Sequence, residues 1–251
     1  MDIEGKVAIV TGASGAIGSA VASVLADGGA KVVVHSHSRG EEGEKVAASL
    51  RANGRSAIHF SADLRQSEGA NATVEAACAE FGAVDILICA SGATVGGGEF
   101  VGLSVEDWES AFSSNVLTTT LISEAFANKV NEQKSLGRIV ITSSVRGLSH
   151  CGREAIMAYS IAKGALLTLV GTLAKDLGPE ILVNGIAPGF VYTPNYEAMT
   201  DELKDSFTSS TVIGRFIQPN EIARVYADLV RTDIITGQTV VVDGGFSLKR
   251  A

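Results

Sequence analysis

The sequence predicts an α/β protein built on a doubly wound sheet of seven mainly parallel strands, flanked by helices on both faces. Three observations carry that expectation. Seven short runs are continuously apolar and rich in β-branched residues, as strands buried on both faces are. Helical stretches separate the runs, and regular strand–helix alternation calls for parallel pairing with right-handed crossovers. A glycine-rich turn follows the first run and opens the first helix.

In chain order the strand runs are Val7-Ala8-Ile9-Val10, Val32-Val33-Val34, Ile58-His59-Phe60, Ile86-Leu87-Ile88, Ile139-Val140-Ile141, Ile181-Leu182-Val183 and Thr239-Val240-Val241-Val242. Helices are expected over 16–28, 41–53, 67–80, 104–133, 158–177 and 219–230. The 158–177 helix is the best marked. Leu166, Leu169, Val170, Leu173 and Leu177 follow helical periodicity, and Gly178-Pro179 ends it. Residues 190–215 are the longest poorly patterned stretch, with Pro194 and many Ser and Thr. Long loops in compact domains often bind ligands, so substrate selection is expected there. No low-complexity linker or internal repeat interrupts the chain, which reads as one domain over 1–251.

Composition narrows the functions. Hydrophobic residues make up 46% of the 251 and charged ones 19%, which suits a globular protein with a substantial core. The net charge of −8 argues against nucleic-acid or anionic-membrane partners, which want basic surface. No apolar run approaches the ~18 residues of a membrane span. The acidic start Met1-Asp2-Ile3-Glu4 lacks a signal-peptide pattern. Cys78, Cys89 and Cys151 are odd in number and lack metal-type spacing, so they read as small buried hydrophobes in a reducing compartment, the cytoplasm by default. His35 and His37 have no third ligand at suitable spacing, and no metal site is expected.

Chemistry enters with Tyr159-Ser160-Ile161-Ala162-Lys163. Four residues is slightly more than one helical turn, so the phenol and the ammonium share a helix face. A phenol titrates near ~10, and a neighbouring cation favours its ionised form, as acid–base work near neutrality requires. The second signal is the turn Thr11-Gly12-Ala13-Ser14-Gly15-Ala16-Ile17-Gly18. Small residues there let backbone approach a pyrophosphate, and the helix start supplies amide donors. The second strand ends in His35-Ser36-His37-Ser38-Arg39 with no acid before Glu41, which favours a 2′-phosphorylated dinucleotide over one with a free ribose hydroxyl.

With these pieces assembled, the chain resembles the short-chain dehydrogenase/reductase superfamily along essentially its whole length. It is most similar to the branch of this size that includes 3-oxoacyl-carrier-protein reductases and hydroxysteroid dehydrogenases. The landmarks occur in order: the glycine turn, Asp63-Leu64, Asn115, Ser143-Ser144, Tyr159 with Lys163, Asn184 through Pro188-Gly189, Thr193, and Ile235-Thr236-Gly237-Gln238. The resemblance implies a Rossmann-type fold, a homotetramer and a carbonyl or alcohol substrate. It assigns Tyr159 to proton transfer, Lys163 to lowering the phenol's pKa and holding the nicotinamide ribose, and Ser144 to the reacting oxygen. It gives Asn115 a place in a proton relay. Gly12, Ser14, Gly15, Ile17 and Gly18 would approach the cofactor phosphates. His37 and Arg39 would meet the 2′-phosphate, Asp63 the adenine amine and Leu64 the adenine ring. Pro188, Gly189, Val191 and Thr193 would line the nicotinamide.

Departures from the family pattern are informative. Ala16 stands at the usual third glycine position, and Cys89-Ala90-Ser91-Gly92 replaces Asn-Asn-Ala-Gly after the fourth strand. Leu182 replaces a common arginine, and the basic residue that often follows Ser14 in NADP users is absent. The expected function is a carbonyl/alcohol oxidoreductase preferring NADP(H) and admitting NAD(H). The rivals are a 3-oxoacyl-carrier-protein reductase proper and a non-catalytic cofactor-binding sensor or scaffold.

Overall fold

The computed structural model describes residues 1–249. The chain runs β1 (Val7–Thr11), α1 (Ala16–Asp27), β2 (Lys31–Ser36), α2 (Gly40–Ala52), β3 (Ala57–Ser61), α3 (Ser67–Phe81), β4 (Ile86–Cys89), α4 (Val105–Phe112), α5 (Thr118–Gln133), β5 (Gly137–Thr142), α6 (Met157–Leu177), β6 (Ile181–Pro188), α7 (Asp201–Ser209), α8 (Pro219–Arg231) and β7 (Thr239–Val242). The strands form one sheet in the order β3-β2-β1-β4-β5-β6-β7, and every pairing is parallel.

The period of two along the strands divides the core into two layers. Ala8, Val10, Val32, Val34, Ile86 and Ile88 pack with α1, α2 and α8, while Val7, Ile9, Val33 and Leu87 pack with α3, α5 and α6. β1 has β2 on one side and β4 on the other, so the winding reverses between β1 and β4. Open α/β sheets bind their ligands at the carboxyl ends of the strands at such a switch point.

Three expectations about the chain's organisation are corrected. The helix read as continuous over 104–133 is broken into α4 and α5 by a π-helical turn at Ser113–Leu117. The wider turn buries Asn115, whose Nδ2 donates to Ala111 O and to Ala93 O, both at 2.9 Å. The unpatterned 190–215 stretch contains α7, which Thr200 caps by accepting from Leu203 N, with Asp201 and Glu202 in the first turn. Those capping signals were legible; the short, mostly polar segment hid the periodicity. Finally, α6 is long and apolar enough by length and composition to cross a bilayer, although no such run was expected. Here its face bearing Leu166, Val170 and Ala174 packs on the sheet, leaving much of the remainder uncovered by this chain.

Two sequence departures find compensations. The amides of Ala90 and Ser91 both donate to Thr11 Oγ1 at 3.1 Å, so β1 holds the segment that lacks the family's asparagines. Leu182 lies in register with Arg138 of β5, and buried Arg138 pairs with Asp233, which also accepts the Met1 ammonium. Of the cysteines, Cys89 and Cys151 are buried as expected, whereas Cys78 is only half-buried.

Candidate active site

Two adjoining cavities lie along the carboxyl ends of the strands and share Gly92 and Ala93. The first is lined by Gly12, Ser14, His35, His37, Arg39, Asp63, Leu64 and Arg65. The second is lined by Ile17, Thr94, Ser144, Tyr159, Lys163, Pro188, Gly189, Val191, Thr193 and Tyr196. Gly15 and Gly18 line neither. Gly15 is the N-cap of α1, and a Cβ on Gly18 would stand 2.5 Å from Gly12 O, so Gly18 seats the helix on the turn.

The first cavity fits a dinucleotide. Gly12 has φ +63°, and a Cβ there would meet Ala90 O at 2.8 Å, so backbone alone forms the floor. α1 starts with no side-chain cap and no acid in its first turn, leaving amide donors for an anion. The Arg39 guanidinium hangs over the turn, 3.5 Å from where a Cβ on Gly15 would be. Arg65 adds a cation that the sequence reading missed, although it follows Asp63 by only two residues. It grips both Asp63 carboxylate oxygens at 2.7–3.1 Å and holds that carboxyl down at about 2. Asp63 is thus already committed to an arginine, rather than free for an adenine amine alone.

Ser36 ends β2 and turns away from this cavity. Its hydroxyl bonds His59 Nε2 at 2.8 Å, beside α2, and it does not line the cavity. Its neighbours His35 and His37 do, because alternate residues of a strand face opposite sides.

His35 is 1% exposed; its Nε2–H donates to Ala62 O at 3.1 Å, and its Nδ1 has no hydrogen-bond partner among the described residues. Burial pushes its pKa down to about 4, against the partial opposition of the Ala62 bond. An unfolded imidazole takes up its proton near 6.5, so the unfolded state binds more protons between the two values. The stabilising term is therefore complete above 6.5 and lost as pH falls through 4, amounting to about 3 kcal/mol in all. Urea midpoints at about pH 7 and about pH 4.5 should separate more for the wild type than for His35→Gln. Equal separations would contradict this account.

In the second cavity Tyr159 and Lys163 lie on the first turns of α6, with Lys163 Nζ 5.8 Å from the Tyr159 ring centre. Lys163 is 4% exposed, donates to Thr142 O at 3.0 Å, and is pushed down to about 8 by burial. Tyr159 differs from the expectation: burial raises its pKa. Hydrogen bonding to Ser144 and to Thr94 opposes that rise, followed by the charge of Arg146 rather than that of Lys163. Ser143 Oγ donates to Lys163 O at 2.7 Å and is tied up in the scaffold. Ser144 Oγ accepts from Arg146 N at 3.1 Å, which leaves its O–H to donate elsewhere. A Cβ on Gly92 would stand 2.6 Å from Asn115 Oδ1 and 3.1 Å from Lys163 Nζ, so both border the same space behind the cavity. Asn115 Oδ1 is buried without a partner among the described residues. Thr94, Arg146 and Tyr196 were not singled out from sequence, and only folding brings them to Tyr159.

The parallel doubly wound sheet, the glycine turn at its switch point and the adjoining tyrosine–lysine cavity define a Rossmann-type, dinucleotide-dependent oxidoreductase. The profile of the family described as Enoyl-(Acyl carrier protein) reductase matches residues 12–247. The chain is 33% identical to a 3-oxoacyl-[acyl-carrier-protein] reductase of Aquifex aeolicus, covering 97% of this chain and 98% of that one. It is 32% identical to glucose 1-dehydrogenase 2 of Bacillus subtilis, covering 98% and 96%. A structure of a Serratia marcescens short-chain dehydrogenase/reductase variant superimposes with a TM-score of 0.89 at 30% identity, over 98% of this chain and 100% of that one. The chain belongs to the short-chain dehydrogenase/reductase superfamily, whose oxidoreductases act on CH–OH and C=O groups with NAD(P)(H).

Proposed function

We propose that this protein is an NADP(H)-dependent oxidoreductase that interconverts a ketone or aldehyde with the corresponding alcohol, with Tyr159 as the general acid–base. One observation carries the reading. The Ser144–Tyr159–Lys163 cavity continues through Gly92 and Ala93 into a cavity ringed by Arg39, Arg65 and His37. In reduction, Ser144 Oγ and the Tyr159 phenol hydrogen-bond the carbonyl oxygen, and the phenol hands it a proton. When bound, the nicotinamide supplies the hydride for the carbon, or accepts it in oxidation. Lys163, pushed down to about 8 by burial, is matched to reload the phenol, and Asn115 borders the path behind it. The whole chain works as one catalytic unit in the cytoplasm, with 190–215 as the substrate loop.

A panel of ketones, aldehydes and alcohols with both cofactors tests this directly. Turnover of any ketone with NADPH supports it; none in either direction, with cofactor bound, would overturn it. A 3-oxoacyl-carrier-protein reductase is the second reading, favoured by the 33% identity to the Aquifex aeolicus protein of that name.

Cofactor preference rests on Arg39. A charge-assisted bond to a 2′-phosphate contributes about 1.5–3 kcal/mol, roughly 10- to 150-fold in affinity. NADPH should bind more tightly than NADH, and Arg39→Ala should shrink that gap mainly by weakening NADPH. Titrations showing NADH bound equally well by the wild type would refute the assignment. The uncovered apolar surface of α6 supports a homotetramer; a monomer by light scattering at micromolar concentration would rule it out.

A further inference from the structure

Among the described residues, Arg146 is the cation whose charge is felt at the Tyr159 phenol. It sits in a short turn, Val145–Gly147, immediately after Ser144, and its backbone N–H donates to Ser144 Oγ. That turn is pressed onto α6: a Cβ on Gly147 would stand 2.6 Å from the Lys163 carbonyl carbon. The base of the Arg146 side chain is therefore fixed relative to both Ser144 and Lys163.

The guanidinium itself is under-used. Of its side-chain N–H donors, only Nη1 has a hydrogen-bond acceptor among the described residues, Cys151 O at 3.2 Å. No carboxylate lies within ion-pair distance among the described residues; its charged surroundings are led by Arg153, with Glu154 contributing least. Arg146 borders, with Phe246, His150 and Lys249, a cavity other than that of Tyr159, and its charge is felt at Tyr159 and Tyr196, which both line the second cavity. Phe246 and Phe190 stand 4.8 and 5.7 Å from the guanidinium carbon. Burial, followed by the charge of Arg153, lowers the pKa of Arg146. A planar fork of free donors matches a carboxylate bidentately, and the aromatic walls suit an apolar body.

We propose that Arg146 anchors a carboxylate carried by the carbonyl substrate, so that the enzyme acts on apolar oxo acids in preference to their neutral counterparts. The proposal rests on the reductase reading for the reaction, while the anchoring is a property of binding. A carboxylate is chosen because the planar fork matches its two oxygens, while the Lys249 ammonium beside it already donates to Ser209 O.

Binding and turnover should be measured in parallel on the cofactor-loaded enzyme. The probes are phenylglyoxylate and benzoylpropionate, each against its methyl ester. At least one acid should bind about 10-fold or more tightly than its ester, the low end for a charge-assisted bond. Arg146→Met should erase that ratio, and Arg146→Lys should keep part of it. Acids and esters binding alike in the wild type, or an unchanged ratio in Arg146→Met, would overturn the proposal. Binding discrimination without turnover of any probe would support the anchor while counting against the reductase reading.

Discussion

Tyr159→Phe is expected to lower turnover at least ~100-fold, the low end for removal of a general acid, while fold and cofactor affinity persist. The substitution removes one oxygen and keeps the ring that packs at the start of α6. What it deletes, in the proposed reaction, is the proton that a carbonyl oxygen requires as its carbon gains a hydride. The surroundings of the phenol partly oppose its burial. Ser144, Thr94 and Arg146 favour the ionised form, whereas desolvation disfavours it. Steady-state rates with a turned-over ketone, beside NADPH titration and thermal unfolding, provide the check. Near-normal turnover in a folded, cofactor-binding variant would sink the mechanism.

Lys163→Ala is expected to act more broadly, reducing both turnover and NADPH affinity. The ammonium is buried, bonded to Thr142 O, and borders the space beside Gly92 where Asn115 Oδ1 also lies. Removing it would take away the proposed proton carrier behind Tyr159 and a donor from the cavity proposed for the nicotinamide ribose. A loss of roughly 100-fold or more in turnover is expected for the proton-transfer part alone. Lys163→Met preserves volume and should show the same double defect, which separates lost charge from a packing void. In wild type, a fall in rate as pH passes about 8 would reflect neutralisation of this lysine. Full NADPH affinity in both variants would remove Lys163 from the cofactor site.

Both variants test a pair of residues that could be read directly from the chain. Tyr159 and Lys163 are local partners: four residues on one helix bring their side chains together whatever else the fold does. The seven strands were legible for a similar reason. A parallel sheet covered on both faces needs unbroken apolar runs, and such runs leave few other structures open to them. The glycine turn was legible because close backbone approach excludes side chains, as the overlaps at Gly12 and Gly18 show.

The tertiary structure decided what depends on residues far apart in sequence. Asn115 becomes a buried acceptor beside Lys163 because a π turn rotates it inward, and nothing local in Ser113–Leu117 announces one extra residue per turn. Ser36 turns toward His59 and away from the cavity because strand alternation is read against neighbours on β3 and α2. The direction of the Tyr159 shift could not be read from its spacing to Lys163. Burial is a sum over the whole cavity, and Thr94 and Arg146 reach the phenol only after β4 and β5 are paired. The sequence by itself determined the fold class and the family, because both are encoded in periodicity and ordered local motifs. The tertiary structure decided how each charge is compensated, because solvation and electrostatics depend on everything packed around a group.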